Sequence, residues 1–327
     1  MIQERLKALR AEMEKRGITV YVVPTADFHE SEYVGDHFKA RKFITGFTGS
    51  AGTAVITLDE AGLWTDGRYF VQAENQLKDS TVTLYRMGEE GVPTVDEFVK
   101  DRLKEGGCLG FDGRVVNGTW GGKLEKIAAE KNVSMHVTED LIDLIWEDRP
   151  ALSKQPLFIL EEKYSGKSTA DKIADLRKAM KENGADVHIL TSLYDIAWLL
   201  NIRGNDIDYV PVVLSYLVLN ETECIWFLQE EVVDEKPKKQ SETATRLVPI
   251  IEPLAQKLGD KTIHYHKTYR MVYNKIGFTK MENMMKQYKR IHGRVPSPKT
   301  KVFLENDKAM RMFKKAVKEL MKEQESK

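Results

Sequence analysis

The sequence predicts an α/β protein built from two tandem domains of related design, and three observations carry that expectation. A helix–strand unit recurs at an offset of 167 residues. A proline-punctuated linker separates the two copies. On both sides of that linker, short apolar strands alternate with amphipathic helices, the pattern of an α/β sandwich.

The duplication is read from paired positions. Leu9, Arg10, Met13, Gly17 and Val20 meet Leu176, Arg177, Met180, Gly184 and Val187. In each copy, apolar residues at helical spacing (Leu6, Leu9, Met13; Ile173, Leu176, Met180) predict one buried stripe. A glycine then ends the helix, where the backbone turns left-handed and a side chain would be strained. A period this long is a whole domain, not a solenoid repeat.

In the first copy, strands are expected over 18–23, 53–58, 81–86 and 108–111, and helices over 67–77, 94–104 and 118–131. The glycine-dense stretch Gly46 to Thr53 lacks the spacing and the following helix of a dinucleotide fingerprint. It reads as a tight loop feeding a strand. Gly166-Lys167-Ser168 likewise lacks the context of a phosphate loop. The linker runs from Trp146 to Pro156 and contains Pro150. In the second copy, strands over 212–219 and 223–228 pair around Asn220-Glu221-Thr222, residues 231–245 form a charged excursion, and a strand over 262–266 precedes a helix from about Thr268. Residues 305–325 predict one amphipathic helix, with Met310, Phe313, Val317, Leu320 and Met321 on one side.

Composition narrows the function classes. Lys plus Arg and Asp plus Glu both number 50, so no basic sheath exists for nucleic acid. No apolar run approaches the roughly 18 residues that span a bilayer. The N-terminus is charged and amphipathic, unlike a signal peptide. Cys108 and Cys224 read as buried reduced thiols. A cytoplasmic protein is expected.

Two places suggest binding. In Trp64-Thr-Asp66-Gly67-Arg68, a turn delivers Arg68 to the start of a helix, where the helix dipole disfavours a cation. A residue set against its local electrostatics has a task elsewhere, such as pairing with a carboxylate. Asn201-Ile-Arg203-Gly204-Asn205-Asp206 follows the helix 194–200 and leads to a strand through Pro211, a junction able to line a cleft. The seven histidines (His29, His37, His136, His188, His264, His266 and His292) lie in no zinc motif, and no nucleophile–base arrangement stands out.

These residues resemble the three-domain Xaa-Pro aminopeptidase (aminopeptidase P) family. The resemblance rests on Tyr21 to Pro24, Asp27, His29, Ser31 to Tyr33, Phe43 to Ala54, Trp64 to Phe70, Leu144 to Trp146, Asp148 to Pro150, Tyr164 to Gly166, and Asp195 to Asp206, with Pro211, Ser215 and Tyr216. It implies two creatinase/prolidase N-terminal-type domains, each a mixed sheet flanked by helices, over 1–155 and 156–298. Residues 299–327 would resemble the first helix of a catalytic "pita-bread" domain that is otherwise absent. The resemblance implies two Mn2+ ions in that missing domain, none in this chain, and no metal or catalytic residue here. By the same resemblance Arg68 reaches the peptide-binding site, and Arg203, Asn205 and Asp206 are substrate-binding candidates on a second-domain loop that faces the catalytic cleft. The implied partner is a peptide with proline at its second position, with a homodimer in the complete enzyme. The chain is expected to be inactive alone. The alternative is a stand-alone inactive paralogue acting as a binding or regulatory module.

Overall fold

The computed structural model describes residues 2–232 and, as backbone alone, the strands 263–266 and 302–303. The helices expected from Thr268 and over 305–325, and residues 233–245 of the charged excursion, lie outside the described residues. The described residues form two compact units, one ending at Ala151 and the other beginning at Leu152.

The first unit opens with helix α1 (Ile2–Lys15), which buries Leu6, Leu9 and Met13 as the spacing predicts. Gly17, at φ 67°, turns the chain into strand β1 (Val20–Pro24). β1 is buried at every position. Its side chains alternate: Tyr21 and Val23 join the core under α1, while Val20 and Val22 join the core on the other face. After helix α2 (Ala40–Thr45) come β2 (Thr53–Thr57), β3 (Ala61–Thr65), α3 (Phe70–Leu77), β4 (Thr83–Arg86), α4 (Val95–Arg102), β5 (Cys108–Phe111), α5 (Gly118–Glu130) and β6 (Ser134–His136). The six strands order as β4-β3-β2-β1-β5-β6. β1 runs antiparallel to β2 and parallel to β5, so the sheet is mixed.

The second unit contains β7 (Phe158–Ile159), α6 (Glu162–Ser165), α7 (Thr169–Glu182), β8 (Val187–Leu190), α8 (Leu193–Leu199), β9 (Ile202–Arg203), β10 (Ser215–Asn220), β11 (Cys224–Leu228), β12 (Ile263–His266) and β13 (Val302–Phe303). Its main sheet orders as β12-β11-β10-β8-β13, with β7 and β9 paired separately.

The duplication extends to the hydrogen bonds. Val20 pairs with Thr57, and its counterpart Val187 pairs with Asn220. Arg10 Nε donates to the Thr57 carbonyl at 2.9 Å, and Arg177 Nε donates to the Asn220 carbonyl at 3.0 Å. Each arginine ties its helix to the far end of the antiparallel neighbour. The hairpin turns match as well: the Thr57 hydroxyl accepts the Glu60 N–H, and the Asn220 side-chain oxygen accepts the Glu223 N–H. β3 and β11 then each carry a parallel strand, β4 and β12.

Several boundaries differ from expectation. β3 went unread because Gly62 weakens its strand signal. That glycine is required by packing: a Cβ there would meet the Trp64 ring at 2.6 Å and the Tyr85 ring at 2.7 Å. Those two rings stack at 4.1 Å. β6, β7, β9 and β13 are too short to show a period. α4 starts at Val95, not 94, because Thr94 caps it and Glu97 completes a capping box. α3 begins at Phe70, three residues later than the expected 67.

Trp64 is fully buried, and its indole N–H donates to the Pro93 carbonyl at 2.7 Å. Trp64→Ala is expected to cost about 3–5 kcal/mol of folding stability, read as a shift of the urea midpoint. A shift under about 1 kcal/mol would contradict this account of the first core.

Candidate functional site

Arg68 stands just ahead of α3, with Tyr69 as the capping position. The expected conflict between its charge and the helix dipole is therefore corrected. Asp66 neutralises the guanidinium locally, through Nε to Oδ1 and Nη2 to Oδ2, both at 2.8 Å. The Asp66 carboxylate also accepts the Arg68 backbone N–H at 3.1 Å. The fork pulls Asp66 down to about 2 and raises Arg68. The arginine side chain remains 69% exposed. Its Nη1 group has no hydrogen bond among the described residues, so the fork is oriented while one amino group stays available.

The glycine-dense loop supports this corner. Gly46 ends α2 at φ 78°. Gly49 lets the Tyr69 ring come close, since a Cβ there would lie 2.9 Å from Tyr69 Cδ1. The Ser50 and Tyr69 hydroxyls are 2.7 Å apart. Beneath the loop lies Arg41, only 3% exposed, which the sequence did not single out. Its Nε donates to the Thr25 hydroxyl at 2.9 Å, Nη1 to the Phe47 carbonyl at 2.5 Å, and Nη2 to the Gly49 carbonyl. Burial pulls Arg41 down to about 10. Among the described residues it has no carboxylate partner, so two backbone carbonyls and a hydroxyl hold its charge.

The second-unit connection is built differently. Asn201 takes a left-handed φ of 51° after α8. Its side-chain oxygen accepts from Lys172 Nζ at 2.6 Å, and its amide donates to the Lys167 carbonyl at 2.8 Å. Lys172, buried and unforeseen, also donates to the Trp198 carbonyl at 2.8 Å. Desolvation, with Arg203 and Lys167 nearby, lowers its pKa. Arg203 Nη1 donates to the Ala197 carbonyl at 3.0 Å and to the Ile202 carbonyl at 2.7 Å. Thus two cations complete the C-terminal carbonyls of α8. Gly204 is needed because a Cβ would meet Val213 Cγ2 at 2.5 Å. Asn205 is exposed, whereas Asp206 is buried and accepts the Leu214 N–H at 2.7 Å. Burial pushes the Asp206 carboxyl up, against the pull of the Ser153 side chain and the Leu214 N–H.

A second polar group lies where β1 and β5 end. Arg114 Nε meets Asp112 Oδ1 at 2.9 Å, and Arg149 Nη1 meets Asp140 Oδ2 at 2.6 Å. Burial raises Asp112, with Asp140 adding repulsion and Arg114 opposing. A cavity of about 20 Å3 beside it, lined in part by Tyr21, Phe38, Asp112, Asp140 and Arg149, has room for about one water. Each of these carboxylates is matched by an arginine, so the cluster ties residues 137–150 to the sheet. Among the described residues no three His, Cys, Asp or Glu side chains converge as metal donors.

Comparisons with known proteins give these features a setting. Residues 5–145 match one creatinase/prolidase N-terminal domain family, and residues 148–324 match a second of the same description. A probable Xaa-Pro aminopeptidase P of Sordaria macrospora is 42% identical over 250 residues, 75% of this chain and 41% of that protein. Xaa-Pro aminopeptidase 1 of Dictyostelium discoideum is 35% identical over 257 residues, 76% of this chain and 41% of that protein. The crystal structure of an X-prolyl aminopeptidase from Caenorhabditis elegans, described as a cytosolic enzyme with a di-nuclear active site, aligns with a TM-score of 0.74 at 31% identity. That alignment covers 90% of this chain and 46% of the nematode protein. The chain spans about two fifths of the length of the curated relatives it matches.

Asp206 generates a pH prediction. Because its folded pKa is raised, the folded chain keeps this proton to a higher pH than the unfolded chain does. Stability from this group is full below the ordinary aspartate value and falls as pH rises through the folded one. Asp206→Asn retains an oxygen for Leu214 and removes the charge. Its urea midpoint is expected to match the unmodified chain near about pH 3 and to exceed it at about pH 7. A lower midpoint at the higher pH would show that the carboxylate is needed in its charged form.

Proposed function

Since this chain belongs to the creatinase/prolidase N-terminal domain family, we propose that it is the non-catalytic N-terminal part of a metal-dependent aminopeptidase that releases the residue preceding proline. The observation that carries this reading is Arg68, an exposed guanidinium held in a fixed orientation by Asp66 with one amino group left over. Its two free N–H donors suit a peptide carbonyl or an acidic group beside the substrate. Asn205 is exposed in the second-unit connection and free to reach a peptide, while Arg203 is half-buried. Asp206 holds the loop that presents them.

In this reading residues 1–155 and 156–298 make up the two domains, β13 completes the sheet of the second, and the catalytic part follows. The ions that activate water, Mn2+ by the family resemblance, belong to that catalytic part. The chain's own contribution is to bind and orient the peptide. The complete enzyme is a homodimer in the cytoplasm. In support, the nematode neighbour is described as cytosolic and di-nuclear, and no helix among the described residues is long and apolar enough to cross a membrane.

The test uses the full-length gene product with Mn2+ and an X-Pro-X tripeptide. Arg68→Ala is expected to lower kcat/KM by the equivalent of about 1–3 kcal/mol. Arg68→Lys, which keeps the charge and loses the fork, is expected to recover only part of that. Unchanged kinetics in both variants would remove Arg68 from the substrate's path.

A further inference from the structure

In the first unit, strand β1 carries a buried hydroxyl with a proton still to give. Tyr21 is 1% exposed. Its hydroxyl oxygen accepts the Leu141 N–H at 2.9 Å. A phenol is also a donor, and among the described residues nothing accepts from this one. Burial, with Asp140 and Asp112 nearby, holds Tyr21 well above the ordinary tyrosine value, so the hydroxyl keeps its proton. A buried donor left unbonded is costly, and folded proteins nearly always supply it with a protein or water acceptor.

Tyr21 lines the cavity of about 20 Å3 together with Phe38, Asp112, Asp140, Ile142 and Arg149. That volume admits one water-sized molecule and nothing organic. Charge narrows the guest further. Asp112 and Asp140 would repel an anion. Arg114 already bonds to Asp112 at 2.9 Å and Arg149 to Asp140 at 2.6 Å, so an added cation would have no buried counter-charge. Asp143, which Arg149 also reaches at 3.1 Å, is exposed and solvated. A neutral guest is left. The wall offers it one donor, the Tyr21 hydroxyl, and carboxylate acceptors. Asp140 Oδ1 accepts from the Ile142 N–H at 2.9 Å and Oδ2 from Arg149, one bond each, so lone pairs remain on both oxygens. Asp112 is bonded by Arg114.

We propose that this cavity is a binding site for a single water molecule, which accepts from the Tyr21 hydroxyl and donates to the Asp140 and Asp112 carboxylates. Water matches the wall group for group, with one bond accepted and two donated, within the two to four that buried waters make. A donor shared between two like charges also offsets their repulsion. The bridge joins β1, the residue after β5 and the segment at Asp140, so residues 137–150 are held to the sheet through water as well as through the arginines. The site stands whether or not the chain acts on peptides.

The experiment is a high-resolution crystal structure of the unmodified chain, paired with that of Tyr21→Phe and with both melting temperatures. The unmodified chain is expected to show one ordered water, its oxygen about 2.6–3.1 Å from Tyr21 Oη and from an Asp140 oxygen. Tyr21→Phe should lose that water or shift it, and melt a few degrees lower. A dry cavity, or a Tyr21 hydroxyl donating directly to a carboxylate, overturns the proposal. So does a hard cation, recognised by six or more oxygens at about 2.0–2.6 Å. A water that Tyr21→Phe keeps in the same place also overturns it, because the hydroxyl would then not be its donor. Should Tyr21→Phe fail to fold, the structure of the unmodified chain decides alone.

Discussion

A central strand that is buried on both faces and hydrogen-bonded on both edges governs each unit. β1 has no exposed position, runs antiparallel to β2 on one side and parallel to β5 on the other. Its alternating side chains must fill two different cores at once, so a one-residue slip would exchange them. β8 is likewise flanked by antiparallel β10 and parallel β13, with His188 half-buried and the other three positions buried. Arg10 and Arg177 explain how the preceding helix is kept in step with this register. A charge-assisted bond from a helix to the end of the neighbouring strand fixes their relative travel where apolar contacts alone would let them slide. The same device at matched positions is the strongest physical sign that the units share an origin.

The two units use buried cations for different ends. In the first, Arg41 enters a loop with no carboxylate and bonds to carbonyls and a hydroxyl. Such a charge is costly to bury, and its hydrogen bonds are correspondingly strong. The result is a glycine-dense loop with little freedom, against which Tyr69 rests and beside which Arg68 projects. In the second, Lys172 and Arg203 satisfy the last carbonyls of α8. Arg68 therefore remains open to a ligand, while Arg203 already donates to the Ala197 and Ile202 carbonyls.

Much of the architecture was legible. The stripe Leu6, Leu9, Met13 and the glycines at 17 and 184 each have a local cause, and the structure uses them as that cause predicts. The paired strands around Asn220 are also local, because an asparagine side chain closes the turn. β3 escaped notice because its glycine answers to Tyr85, a residue 23 positions away in sequence. Arg68 was noticed for a reason that proved incorrect: the helix starts later, and Asp66 removes the electrostatic conflict. Arg41 and Lys172 gave no signal at all, since a buried cation reads like a surface one until the chain folds over it.

From the order of residues alone followed the two-domain plan, the placement of most helices and strands, and the family to which they belong. The plan and its elements depend on periodicity, capping and turn chemistry acting within a few residues, or on a repeat visible as text, whereas the family rests on the resemblance of whole segments such as Phe43 to Ala54 and Trp64 to Phe70. Tertiary structure alone decided which charged groups are enclosed and which arginine keeps a free amino group. Burial and pairing arise between residues distant in sequence, and no local pattern encodes them.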